Sequence, residues 1–259
     1  MKILNRDCDY NLHTHTCYCD GKGTPAEIAV EARKLGFRML GFSGHEYAPH
    51  DLDACMSPES TKQYNLEIEE LKSLYQGVME IHRGIERDYF GGPNGYTYDY
   101  VIGSVHYVQK NGVFICVDDT PEILAEGVEK HYGGDWMAMV EDYYALVGDV
   151  RRKTGADIIG HLDLVTKFNH DNRFFDENST RYKKAALRAV AALAKDRPIF
   201  EINTGGMARG YRDRPYPADF ILEEISRLGC PVILSSDCHD GRSLDFGFRE
   251  VIEHMERGC

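Results

Sequence analysis

The chain has 259 residues, 42% apolar and 28% charged, which is enough to bury the core of one large domain spanning 1–259. Its formal charge of −12 argues against a nonspecific nucleic-acid binder, which needs clustered Lys and Arg, and suits bound divalent metals. No apolar run approaches the roughly 20 residues that span a bilayer, and the N-terminal MKILNRDCDYNLH lacks the apolar stretch and cleavage site of a signal peptide, so a cytoplasmic protein without membrane contact is expected.

Short apolar runs alternate with amphipathic segments, the pattern of β/α units around a parallel sheet. The first candidate strand, DYNLHTH, is followed by GTPAEIAVEARKLG, which predicts a helix over 25–35 with Thr24 as cap, Pro25 in the first turn, Glu27 three residues after the cap and Gly36 as the stop. The strand RMLGFSGHE, a helix over 60–75, and the strands VMEIHRGIERDYF and YDYVIGSVHYV come next. The stretch 109–135 is the least regular. Within it QKNGVF reads as a hairpin turn and HYGGD as a loop, so an insertion shaping the site is expected there. Further on, helices over 136–154, 180–195, 218–228 and 246–256 flank the strands ADIIGHLDLV, PIFEINTGG and CPVILSSDCH. Eight scattered cysteines, Cys8, Cys17, Cys19, Cys55, Cys116, Cys230, Cys238 and Cys259, are expected to be mostly free thiols.

Metal-binding side chains fall at the C-terminal ends of these strands: His13 and His15, His45, Glu86, His106, His161, then Asp237 and His239. In a closed parallel barrel those ends converge on one face. His-x-His places both rings on one side of a strand, but about 7 Å apart, so they share an ion only if the strand end bends. In DCH, Asp237 and His239 face together while Cys238 points away. Imidazole and carboxylate donors suit Zn, Fe or Mn, and there are more of them than one four-coordinate ion can use, which implies more than one metal. The C-x-C of Cys17 and Cys19 lacks the spacing of the common redox motif, and small side chains beside the site are the expected reading.

The ordered motifs NLHTHTCYCDG, GFSGHE, GIERDYF, DYVIGSVHYV, GHLDLV, EINTGG and SSDCH, spread over nearly the whole chain, resemble those of the polymerase-and-histidinol-phosphatase (PHP) family, most closely its histidinol-phosphate phosphatase branch. The resemblance implies a distorted seven-stranded (β/α)7 barrel with a trinuclear metal centre at the C-terminal ends of the strands, occupied by two to three divalent transition metals. It implies a first metal on His13, His15, Glu86 and Asp237, a second on His106 and His161 bridged by Glu86, and a third on Asp20, His45 and His239. Asp20 departs from the many relatives with a histidine nearby, which implies a third site with a different metal or partial filling.

The activity implied is hydrolysis of a small phosphorylated metabolite, first L-histidinol phosphate, by a metal-bridging hydroxide held by Glu86 and Asp237. Another phosphomonoester, a nucleotide phosphodiester, or an inactive metal-stabilised module are the alternatives. The nucleophile-elbow and Walker patterns are missing, which argues against acyl-enzyme and P-loop chemistry. Arg209 is the first candidate phosphate clamp, with Ser104, Lys167 and Arg173 as further substrate contacts. Asp163, two residues after His161, is a candidate acceptor behind a ligand imidazole. His82 is expected inside the barrel and His50, His131, His170 and His254 at the surface, with His131 and His170 in loops near the site. No residue is assigned to protonating the leaving alkoxide, and nothing signals an oligomeric state.

Overall fold

Alternating strands and helices build a parallel sheet whose two ends curl round to meet, as laid out in a computed structural model that describes residues 1–257. The chain opens with β1 (Lys2–Ile3), β2 (Tyr10–Asn11), α1 (Pro25–Lys34), β3 (Met39–Phe42), α2 (Pro58–Leu74) and β4 (Glu80–Asp88). After β5 (Tyr100–Ser104) come the antiparallel pair β6 (Tyr107–Lys110) and β7 (Val113–Cys116), then α3 (Pro121–Tyr132), α4 (Trp136–Val147) and α5 (Val150–Thr154). The remainder is β8 (Ile158–Ile159), α6 (Thr180–Leu193), β9 (Ile199–Asn203), the short α7 (Gly205–Ala208), α8 (Asp219–Arg227), β10 (Pro231–Ser235) and α9 (Phe248–Glu256).

Eight strands form the sheet, in the order β1, β10, β9, β8, β5, β4, β3, β2. The expected count is seven, and the extra strand arises because the first barrel position is split. β1 pairs with the start of β10, the chain turns away, and β2 returns to pair with β3. The Asn5 side chain fills the gap: its amide donates to Tyr10 O (3.0 Å) and Leu234 O (2.9 Å) and accepts the Leu234 N–H (2.8 Å), as a peptide group would. Higher up, the His15 N–H donates to Cys238 O (2.9 Å) and the Cys238 N–H to His13 O (3.3 Å), which closes the ring where the histidines lie.

Local signals explain most of the helices. Thr24 accepts the Glu27 N–H (3.2 Å) while the Glu27 carboxylate accepts the Thr24 N–H (2.8 Å), a reciprocal cap, and Gly36 takes φ +80° just past α1. Asn111 (φ 52°) and Gly112 (φ 80°) make the predicted turn between β6 and β7. The stretch 109–135 is more regular than expected, because Thr120 caps α3 by accepting the Ile123 N–H (3.2 Å) and Gly133 ends it in the left-handed region. The single helix expected over 136–154 breaks into α4 and α5 beyond Val147; Gly148 sits against α6, where an added Cβ would lie 3.3 Å from Ala189 Cα. No helix among the described residues is long and apolar enough to cross a membrane. Seven cysteines are free thiols, and Cys259 lies outside the described residues.

Apolar side chains sort into an inner plug and outer layers. Tyr10, Tyr100, Ile102, Ile158 and Ile233 pack inside the ring. Outside it, one cluster around Ile28, Phe42 and Ile68 lies under α1 and α2, and a larger one around Val140, Tyr144, Val190 and Phe248 lies under α4, α6 and α9. The Tyr100 hydroxyl donates to Leu12 O (2.5 Å) and lies near Phe42 O (3.2 Å). Its ring crosses Gly41 and Gly84, where any Cβ would collide with it. Gly84→Ala is therefore expected to destabilise the protein by about 3 kcal/mol. That corresponds to a fall in melting temperature of roughly 10 °C, read by thermal denaturation; an unchanged melting temperature would show that the ring has room to shift.

Candidate metal centre and active-site pocket

The ring ends in polar loops, and each loop delivers one or two donors to the same point. β2 stops at Asn11, so His13 and His15 sit on a bend, and their ring centroids come to 5.1 Å, closer than a straight strand allows. Beyond β10, Asp237 takes a left-handed turn (φ 46°), a conformation that Asp tolerates better than most residues. Cys238 points away into the cluster under α1 and α2, as the spacing predicts.

Glu86 lies at the middle of the centre and is buried. Its Oε2 faces His13 Nε2 (3.1 Å), His45 Nδ1 (3.1 Å) and His15 Nε2 (3.4 Å), while its Oε1 faces His161 Nε2 (3.1 Å) and His106 Nε2 (3.5 Å). Asp237 Oδ1 stands 3.1 Å from His15 Nε2 and 3.6 Å from His13 Nε2. At the outer edge Asp20 gathers His239 Nε2 (3.1 Å), His15 Nδ1 (3.5 Å) and His45 Nε2 (3.7 Å). All nine residues expected as ligands thus come together, and His15 sits between the inner and outer groups.

The contacts around Glu86 Oε2 are not ordinary hydrogen bonds. His13 Nε2, His15 Nε2 and Glu86 Oε2 are fully buried and lack a hydrogen-bond partner. His13 Nδ1 donates to Glu201 Oε1 (2.6 Å), so in the neutral form that metal binding requires the ring turns a lone pair, not a proton, toward the Glu86 and Asp237 oxygens. Lone pairs facing lone pairs in a dry interior are repulsive unless a cation lies between them. The protonation tendencies agree. Burial, with the His239 and His45 rings beside it, pushes His15 down to about 3. Burial also pulls His13 and His106 down, but the surrounding carboxylates outweigh it and hold both rings well above the ordinary value. Protons there stand in for positive charge that a metal would supply. The donor set fits divalent transition metals.

Two acids that sequence reasoning missed support the ligands. Glu201 on β9 holds His13 and also accepts the His161 N–H through Oε2 (2.7 Å). Asp88 Oδ2 accepts the His106 N–H (2.9 Å) and lies 3.4 Å from His106 Nδ1. The signals were present: Glu201 is the one acid in the apolar run PIFEI, and Asp88 shares the strand parity of Glu86.

Several expectations need correction. Asp163 does not back a ligand ring; its Oδ2 accepts the Ala218 N–H (2.9 Å) at the start of α8, and burial pushes its carboxyl up to about 6. Ser104 turns its hydroxyl to Glu86 Oε1 (2.6 Å), because its strand position faces the barrel interior rather than the cavity. Arg173 is exposed, with its guanidinium over the Phe174 ring (4.7 Å). His82 is part-exposed beside Glu80 (3.4 Å), at the end of β4 away from the centre, not in the interior. His50, expected at the surface, is largely buried against the site. His131 lies in the last turn of α3, and His170 and His254 are exposed. Cys17 is exposed, and Cys19, its thiol pushed up to about 12 by burial, donates to Thr16 O (3.4 Å) beside His15.

The metal centre floors a cavity of about 460 Å³. Arg209 and Lys167 line it. Arg209 reaches Asp237 Oδ2 (3.0 Å) and His239 Nδ1 (2.8 Å); Lys167 donates to Asp118 O (2.5 Å). Asp51, Asp53, Asp118 and Asp119 line the cavity as well.

The PHP domain model matches residues 11–205 of this chain. Over 258 residues the chain is 32% identical to a Deinococcus radiodurans protein named as a probable histidinol-phosphatase, with 96% of this chain and 92% of the relative covered. A histidinol-phosphatase of Bacillus subtilis is 25% identical over 267 residues, covering 95% of this chain and 98% of the relative. The crystal structure of a histidinol phosphate phosphatase from Lactococcus lactis, complexed with Zn, L-histidinol and phosphate, matches with a TM-score of 0.70 at 20% identity. The match covers 96% of this chain and 93% of that one, a likeness of fold.

Proposed function

This chain belongs to the PHP domain family, and on that premise we propose that it is a metal-dependent phosphomonoesterase that hydrolyses L-histidinol phosphate to L-histidinol and phosphate. The observation that carries the reading is Glu86, a buried carboxylate whose two oxygens each face a different set of imidazoles. His13, His15, Glu86 and Asp237 would hold one ion, Glu86, His106 and His161 a second, and Asp20, His45 and His239 a third, as two to three Zn, Fe or Mn ions. When bound, such ions neutralise the phosphoryl group and make water acidic enough to attack it near neutral pH.

The chain's own residues do the rest. Arg209, held toward the centre by Asp237, offers guanidinium N–H groups to phosphate oxygens, and Lys167 adds a point charge in the same cavity. Ser104 keeps Glu86 in place through its hydroxyl. Asp51, Asp53, Asp118 and Asp119 would repel a polyanion, whereas they suit a leaving group that carries an ammonium, as L-histidinol does. Purified metal-loaded protein is expected to release phosphate from L-histidinol phosphate with a kcat/KM well above that for p-nitrophenyl phosphate or a nucleotide phosphodiester. Turnover no better than that of the aryl ester would overturn the substrate assignment.

A further inference from the structure

An alkyl phosphate cannot leave cheaply as a bare alkoxide, so a group in the cavity wall must hold a proton for it. Apart from the nine proposed ligands, the proton-bearing side chains there are His50, Tyr107, Cys116, Lys167, Arg209 and Tyr211. Burial pushes the Cys116 thiol up to about 12, and a guanidinium does not give up its proton. The Lys167 ammonium is spent on Asp118 O (2.5 Å) and on the face of Tyr211 (4.7 Å). Phenols are ordinarily much weaker acids than imidazolium. An imidazole titrates nearest neutral pH, and His50 is the one in this wall outside the ligand set.

The surroundings of His50 are those of a positioned acid. Asp88 on β4 lies behind the ring, its Oδ1 3.3 Å from His50 Nε2, which fixes the tautomer and leaves Nδ1 as the nitrogen available to a ligand. Phe114 on β7 stacks on one face (centroids 4.5 Å, planes at 15°), and Tyr107 on β6 closes edge-on at 4.9 Å. Both rings belong to the β6–β7 hairpin, which thus packs against this imidazole.

From this geometry we infer that His50 is the catalytic acid that protonates the leaving oxygen. As the oxygen of water bonds to phosphorus, the phosphorus bond to the leaving oxygen breaks and its electron pair stays on that oxygen. The His50 Nδ1 proton passes to it and completes the alcohol. The proton lost by the attacking water returns through solvent to recharge the ring, so phosphomonoester plus water gives alcohol plus phosphate. The inference rests on phosphomonoester hydrolysis at this site.

The test compares the metal-loaded wild type with His50→Gln on L-histidinol phosphate, an alkyl ester, and on p-nitrophenyl phosphate, whose leaving oxygen needs no proton. The expected result is a fall in kcat of about 100-fold for the alkyl ester and about threefold or less for the aryl ester, with metal content unchanged. Equal losses on both esters, or no loss on the alkyl ester, would overturn the inference. If the variant loses metal or fails to fold, the wild type alone decides through a series of phosphate esters: a shallow dependence of kcat on leaving-group pKa supports an acid, and a steep one overturns it. Wild-type turnover separates the two proposals. Failure on L-histidinol phosphate alone refutes that substrate and moves the His50 comparison to the alkyl ester that is turned over, while failure on every alkyl phosphate refutes both.

Discussion

Replacing Glu86 with glutamine is expected to lower kcat/KM on L-histidinol phosphate by about a thousand-fold, equivalent to about 4 kcal/mol of transition-state stabilisation. The side chains are nearly isosteric, and the Ser104 hydroxyl, 2.6 Å from Oε1, would keep an oxygen to bond. What is lost is a charge shared between two sets of rings. An amide presents NH2 on one side, either to His13, His15 and His45 or to His106 and His161, so one set loses its common anionic partner. Metal bound per chain, measured by elemental analysis after dialysis, should fall together with activity while the far-UV circular dichroism stays native. Activity within tenfold of wild type at full metal content would show that the two oxygens of Glu86 do not serve two ions.

Glu201→Gln should also lower metal affinity or activity, on the order of 10–100-fold, although Glu201 touches neither metal nor substrate in the proposed scheme. Three donors converge on this carboxylate: His13 Nδ1–H (2.6 Å), His161 N–H (2.7 Å) and the Asn203 amide (2.9 Å). Burial alone would raise its carboxyl, but His13 outweighs that and holds it below the ordinary value, so it is ionised and acceptor-only. A glutamine cannot satisfy three donors. Its NH2 either opposes the His161 N–H or forces His13 to accept at Nδ1, which puts the proton on Nε2, where the metal lone pair is needed. The effect should appear as a higher metal concentration needed for half-maximal activity, with kcat largely recovered at saturating metal. A variant that binds and works like wild type would show that His13 keeps its tautomer without Glu201.

Ligand residues are legible in the chain because their spacing follows strand ends: each of His45, Glu86, His106 and His161 lies at or just past an apolar run, and period-2 parity turns the side chain inward. The alternation of runs and caps likewise specifies a parallel β/α arrangement, and the capping box at Thr24 and the Asn111–Gly112 turn are local enough to be read without tertiary context. Parity says which face a residue joins, not how far along the barrel it lies. Hence His82, with the same parity as Glu86, falls at the opposite end of β4. Ser104, two residues before His106, meets a carboxylate instead of the cavity.

By itself, then, the sequence determined the family, the ring of strands and the set of donors that converge on one face. Tertiary structure alone decided which acid stands behind which imidazole, because those partners are far apart in the chain: 188 residues separate His13 from Glu201 and 38 separate His50 from Asp88. It also decided that Asp163 caps α8 through Ala218, 55 residues on, and that His50 lies under an aromatic hairpin instead of in water. The physical reason is that buried polar groups must find partners wherever packing brings them, and the distance along the chain carries no record of that meeting.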